Sequence, residues 1–120
     1  MLSHQNGKQT EDAAAKLYQN SGYKILARNY RYYGQGRGQK AEIDIIAHKG
    51  KLLIVIEVKY RAPNSSISSV ESITPRKLIL MQLAIQAFLQ VCPKFRDCLI
   101  RFDAVVSDGQ TLSILENISL

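Results

Sequence analysis

Apolar and polar positions alternate most sharply in the middle of the chain. Ala41-Glu42-Ile43-Asp44-Ile45-Ile46-Ala47 and Leu52-Leu53-Ile54-Val55-Ile56-Glu57-Val58-Lys59 are two apolar runs of strand length, joined by the polar His48-Lys49-Gly50-Lys51. That pattern predicts a β-hairpin with His48 in its turn. Upstream, Ala13, Ala14, Leu17 and Tyr18 form a helical stripe within 6–20, and Gly22 is the stop signal. Residues 23–31 read as a first strand. They end in 34–39, a polar stretch whose alternating Gly34, Gly36 and Gly38 read as a mobile hairpin tip. No helix follows these glycines, so neither a Walker loop nor a dinucleotide fingerprint is present.

Downstream, 62–73 is rich in Ser and Asn and reads as a flexible loop. Thr74-Pro75 then opens a second helix, with Thr74 as N-cap and Pro75 at the first helical position. This helix runs to about Val91 and is apolar almost all round, which predicts a largely buried element ended by Cys92-Pro93. Residues 99–106 form a strand, Asp108-Gly109 a turn, and 111–115 a last strand. The expected order is α-β-β-β-α-β-β. A helix linking two strands of one sheet implies a right-handed crossover and a mixed α/β sheet in a single domain, 1–120.

Composition narrows the classes. The chain has 120 residues, 46% of them hydrophobic and 22% charged, which suits one globular core. Sixteen basic against ten acidic residues leave a net charge of +6, which favours a polyanionic partner. The polar N-terminal stretch carries no readable signal peptide, and no apolar run is long enough to span a bilayer. Cys92 and Cys98 form neither a disulfide framework nor a zinc set, so a cytoplasmic protein with reduced thiols is expected.

The chemistry concentrates in the hairpin. Period-2 alternation places Glu42 with Asp44 on one face and Ile43 with Ile45 on the other. In the partner strand Val55, Glu57, Lys59 and Arg61 share a face, opposite Ile54, Ile56 and Val58. If the registers match, Asp44 meets Glu57. Two converging carboxylates repel unless a cation lies between them. Mg²⁺ (or Mn²⁺) accepts one or two carboxylates with a main-chain carbonyl, here that of Val58, plus waters and a phosphate. Lys59 would then stabilise charge on the phosphate or hold the attacking water. The bland alternative is a Glu57–Lys59 or Asp44–Lys59 ion pair on a solvated sheet face. Glu11, beside the first helix's apolar stripe, is either a dipole-compensating acid or a group aimed inward. Asp103 shares a face with Arg101, which reads as a lateral pair or a buried structural acid.

Between Asp12 and Glu42 there is no acid, while Lys16, Lys24, Arg28, Arg31, Arg37 and Lys40 alternate with Tyr23, Tyr30, Tyr32 and Tyr33. Such a segment either tracks a phosphate backbone with bases stacked on tyrosine, or is a solvated face with the tyrosines packed inward. Arg61, Arg76 and Lys77 add positive charge beyond Lys59. The sign of Arg76 and Lys77 is unfavourable at a helix start.

Asp44, twelve intervening residues, then Glu57-Val58-Lys59 resembles the PD-(D/E)xK nuclease arrangement of the restriction-endonuclease-like fold. More narrowly the chain resembles the YraN-like family of uncharacterised bacterial proteins, which are similar to archaeal Holliday-junction resolvases. The matching residues are Glu11, Ala14 and Leu17-Tyr18, then 22–31, 42–47, 56–61 and 101–106. Ala41 stands where that family usually has glycine, and Ile43 where the nuclease signature has proline.

The resemblance implies a restriction-endonuclease-like mixed sheet flanked by helices, with Asp44 and Glu57 as metal ligands and Lys59 as catalytic lysine. It makes Glu11 an accessory acid. Arg28, Arg31, Arg37, Lys40, Arg61 and Lys77 are then the nucleic-acid-binding candidates. The expected function is metal-dependent cleavage of DNA, including branched DNA, by a homodimer with no membrane partner. The alternative is a non-catalytic nucleic-acid-binding module on the same fold.

Overall fold

In a computed structural model, residues 3–34, 40–61 and 73–118 are described, with side chains from Gly7 onward. Arg37 and most of the two loops expected at 34–39 and 62–73 lie outside them. The elements are α1 (Ser3–Asn20), β1 (Lys24–Tyr33), β2 (Lys40–Lys49), β3 (Leu52–Tyr60), α2 (Pro75–Val91), a 3₁₀ turn (Pro93–Phe95), β4 (Leu99–Ser107) and β5 (Leu112–Leu115). The strands form one five-stranded sheet in the order β1-β2-β3-β4-β5. Only β3 and β4, which α2 connects, run parallel; the other three pairs are antiparallel. The mixed α/β order expected from the sequence therefore stands.

The helices cover opposite faces. On one, Ala14, Ala15 and Tyr18 of α1 pack with Ile45, Ala47, Ile54, Ile56 and Val105. On the other, Leu78, Met81, Ala84, Ile85, Phe88 and Leu89 of α2 pack with Ile43, Ile46, Leu53 and Val55. A sheet buried on both faces explains why β2 and β3 read as nearly continuous apolar runs. Thr74 caps α2 as expected, its Oγ1 accepting from Lys77 N at 3.1 Å.

Four expectations need correction. Ala13 faces solvent and Ala15 is buried in its place, which rotates the inward stripe of α1. Helix α2 is not buried all round: Ile79 (51%), Leu83 (39%) and Val91 (74%) are exposed, because one sheet face can cover only one side of a helix. His48 belongs to β2, edge-on to Phe95 with ring centroids 4.8 Å apart, and Gly50 with φ 60° makes the turn instead. Finally, Ile43 and Ile45 do not share a face, since Ile43 packs towards α2 and Ile45 towards α1.

That reversal has a local cause. In β1, Arg28 opposes Ile45 and Tyr30 opposes Ile43, with Asn29 between them in the left-handed region at φ 54°. A residue there breaks the pleat, so the faces exchange in both strands at Asn29 and Asp44. The β2–β3 ladder stops at the same level, with Ile45↔Ile56 as its last pair.

The α1 face holds a buried polar knot. Asp103 is fully buried; its carboxylate accepts from Arg101 Nε and Nη2 (2.9 Å each), Tyr18 Oη (2.8 Å) and Asn117 N (2.9 Å). It is the structural acid that the sequence suggested, paired with Arg101. The carboxylate raises the Arg101 guanidinium above its usual value. Burial first, then the bond to Asp103, raises the Tyr18 phenol. The knot ties β4 to α1 and to the segment after β5. Asp103→Ala is expected to cost about 3–5 kcal/mol by leaving Arg101 half-buried without its partner. Tyr18→Phe should cost about 1 kcal/mol. Urea unfolding of both variants checks the ranking.

Candidate functional site

Where β2 and β3 part, a cleft of about 450 Å³ opens. It is lined by Lys40, Ala41, Glu42 and Asp44 of β2, Glu57, Val58 and Lys59 of β3, and Thr74, Arg76, Lys77, Leu80 and Met81 at the start of α2. The register Ile45↔Ile56 brings Asp44 level with Glu57. Asp44 sits at the face reversal, and its Oδ2 accepts from Val58 N at 2.8 Å. The aspartate thus takes up a main-chain donor at the point where regular β2–β3 pairing has ended.

Glu57 is 3% exposed. Its Oε2 is buried without an aligned hydrogen-bond donor, and its charge is met by the Lys77 ammonium from the first turn of α2. Burial pushes the Asp44 carboxyl up to about 8, helped by its hydrogen bond to Glu57 and opposed by the Val58 amide. Glu57 shifts the other way. Burial alone would raise it, but the bond from Asp44 and the charge of Lys77 together hold it below the usual carboxylate range. The two carboxyls are thus pushed in opposite directions, Asp44 towards its protonated form and Glu57 towards its charged one. Burial depresses the neighbouring Lys59, against the attraction of Glu57.

The other sequence candidates lie around this cleft in different ways. Lys40 and Lys77 line it. Glu11 lies on the α1 side, 3.3 Å from Arg28, in a separate hollow with Gly7, Lys8 and Asn29; its charge still contributes to raising Asp44. Arg28 also holds Asp12 at 2.8 Å, and Arg31 holds Glu42 at 3.1 Å. Arg61 is half-buried and donates to the Tyr60 carbonyl at 3.0 Å.

Of the four tyrosines, Tyr30 and Tyr32 pack against the α2 core and Tyr23 stands edge-on to Tyr18. Tyr33 alone of the four is largely exposed. With Arg31, Lys40, Ala41 and Glu42 it lines a hollow of about 380 Å³ that shares three of these residues with the cleft. Sequence reading did not assign Thr74 and Arg76 to the cleft. The unfavourable sign of Arg76 and Lys77 at a helix start was the available signal.

The donor set fits a small hard cation. Among the described residues no cluster of three or more His, Cys, Asp or Glu side chains exists. Two carboxylates, a buried oxygen without an aligned donor and an open, partly polar cleft nevertheless suit Mg²⁺, which keeps several waters and shares its shell with phosphate.

Comparison with known proteins places the whole of this region in one family. The profile of the uncharacterised protein family UPF0102 matches residues 10–106. This chain belongs to the UPF0102 family. It is 39% identical over 108 residues to a UPF0102 protein of Prosthecochloris aestuarii, covering 88% of this chain and 77% of the relative. It is 35% identical over 118 residues to one of Fusobacterium nucleatum, covering 98% and 93%. A UPF0102 protein of Neisseria meningitidis is 35% identical over 109 residues, covering 90% and 88%. The matched UPF0102 region includes Asp44, Glu57, Lys59 and Lys77 and ends just after Asp103.

The raised Asp44 carboxyl has a consequence for stability. A carboxyl whose folded value lies above its unfolded one holds its proton more tightly when folded. Stability then falls as pH rises between 3.8 and about 8. The lowered Glu57 acts oppositely, and only in acid, below its ordinary 4.5. Asp44→Asn keeps an acceptor for Val58 and a donor for Glu57 without the ionisation. At pH 8 it should melt about 5 °C or more above the parent, the equivalent of about 1 kcal/mol. The gap should narrow steadily as pH falls and close only near pH 3.8, and thermal denaturation across that range checks it.

Proposed function

We propose that this protein is a Mg²⁺- or Mn²⁺-dependent nuclease of the PD-(D/E)xK kind that hydrolyses DNA phosphodiester bonds, branched DNA included. The observation that carries the reading is the meeting of part-buried Asp44, held by the Val58 amide, with buried Glu57 and with Lys59 in a cleft walled by basic residues. Carboxyls pushed apart in this way within a cleft are characteristic of sites that bind cations or move protons. Asp44, Glu57 and the Val58 main chain would hold the cation, which when bound supplies Lewis-acid polarisation of the phosphate. Lys59 neutralises charge developing on the phosphate and orients the attacking water. Asp44 must release its proton before it serves as a full ligand, so cation affinity rises with pH. Glu11 acts from the α1 side through its charge on Asp44.

Lys40 and Arg76 flank the cleft, and Tyr33 stands in the adjoining hollow as a surface on which an unpaired base can stack. A homodimer would present two such clefts to the two strands of a junction. The free thiols Cys92 and Cys98 suit the reducing cytoplasm. Among the described residues no helix is long and apolar enough to cross a membrane.

The second reading, a nucleic-acid-binding module without cleavage, is favoured by one observation: Lys77 already neutralises Glu57. Glu57→Ala and Lys59→Ala separate the two. Each is expected to reduce Mn²⁺-dependent cleavage of a junction substrate by about 100-fold or more, the scale of removing one electrostatic group from such a site. Cleavage that survives both changes would sink the proposed site, and a parent protein that binds DNA without cutting it would establish the second reading. Tyr33→Ala with Lys40→Ala should weaken binding to single-stranded DNA by about tenfold, as one lost stacking contact and one lost phosphate contact imply. Fluorescence anisotropy at several salt concentrations measures it.

A further inference from the structure

Glu57 cannot keep its charge in the apolar interior without a partner, and the partner it has is Lys77. We propose that Lys77 is an internal counter-ion that holds Glu57 in the cation-free protein and is displaced from it when a divalent cation arrives, becoming free to grip a phosphate of the nucleic-acid backbone. The inference rests on the metal-binding reading of the cleft given above.

The geometry argues for exchange over coexistence. The lysine contacts Oε2, the same buried oxygen that lacks an aligned donor and would face a cation. An ammonium and a dication repel strongly at contact distance in a part-buried site. Lys59 already supplies one positive charge to the same pair. Lys77 also has somewhere to go. Its side chain is 35% exposed and is rooted in the first turn of α2 next to Arg76, both in the wall of the cleft. A cation at a helix start is unfavourable to the dipole, and Glu57 offsets that in the resting state. Once Glu57 is committed to the metal, a phosphate is the anion that can replace it. Metal loading and backbone binding are then linked through one side chain, and the basic wall reaches full strength only when the site is charged for cleavage.

The test compares the parent with Lys77→Gln. Mn²⁺ affinity, followed by electron paramagnetic resonance, should rise at least about tenfold in the variant, since a competing charge is gone. Mn²⁺ should also raise the melting temperature of the variant more than that of the parent. Binding to an oligonucleotide should weaken in the variant about three- to tenfold with non-cleaving Ca²⁺ present, and stay unchanged in chelator. Lys77→Arg, which keeps the ion pair if Gln prevents folding, should bind Mn²⁺ more weakly than the parent because its fork grips carboxylate better. A parent that binds Mn²⁺ with the same affinity as both variants overturns the exchange and leaves the metal reading standing. Equal loss of oligonucleotide affinity with and without Ca²⁺ also overturns it. A parent that binds no Mn²⁺ overturns the metal reading, and the exchange with it.

Discussion

Two acidic side chains, one buried and one part-buried, are brought level at the point where the two central strands stop pairing. Everything around the cleft answers that constraint. Asp44 is raised by burial and takes the Val58 amide; Glu57 is lowered beside Asp44 and Lys77; Lys59 is depressed by burial. An apolar pair of similar size would fold at lower cost. The two well-packed helix layers supply the stability that tolerates this local cost.

The opposite face shows what a purely structural acid looks like in the same chain. Asp103 is as deeply buried as Glu57, but its oxygens are filled by Arg101, Tyr18 and the Asn117 amide. Both oxygens of that carboxylate accept two bonds each, which leaves no capacity for a ligand. Glu57 has a buried oxygen without an aligned donor, a neighbour that resists ionising and an opening to solvent. Burial is thus common to both carboxylates, and what differs is the partners each has: a closed set of donors for Asp103, a lysine at the rim of a cleft for Glu57.

Much of the fold was legible because its signals are local. The Thr74-Pro75 cap, the apolar runs and the order of elements follow from periodicity and turn chemistry. The register that sets Asp44 level with Glu57 was available as a condition, met once the turn fell at Gly50. What was not legible depended on partners distant in sequence. Nothing in the repeat of α1 says that Ala15 rather than Ala13 meets the sheet. Nothing near Lys77 says that its partner is twenty residues earlier. The acid-free stretch before Glu42 read either as a cationic track or as a solvated face, and its spacing did not show that Arg28 and Arg31 find Glu11, Asp12 and Glu42 across the fold.

Asn29 carries a consequence for how this family's variation should be read. Because the pleat reverses there, and the register shifts again between Ile25 and Ala27, the first hairpin does not keep one frame of alternation. Ile25, Ile45 and Ala47 answer to the α1 layer, whereas Ala27, Tyr30, Tyr32, Ala41 and Ile43 answer to the α2 layer. Odd–even spacing along either strand therefore does not tell which layer a substituted side chain meets, and in β2 the joint falls at an acid that lines the cleft.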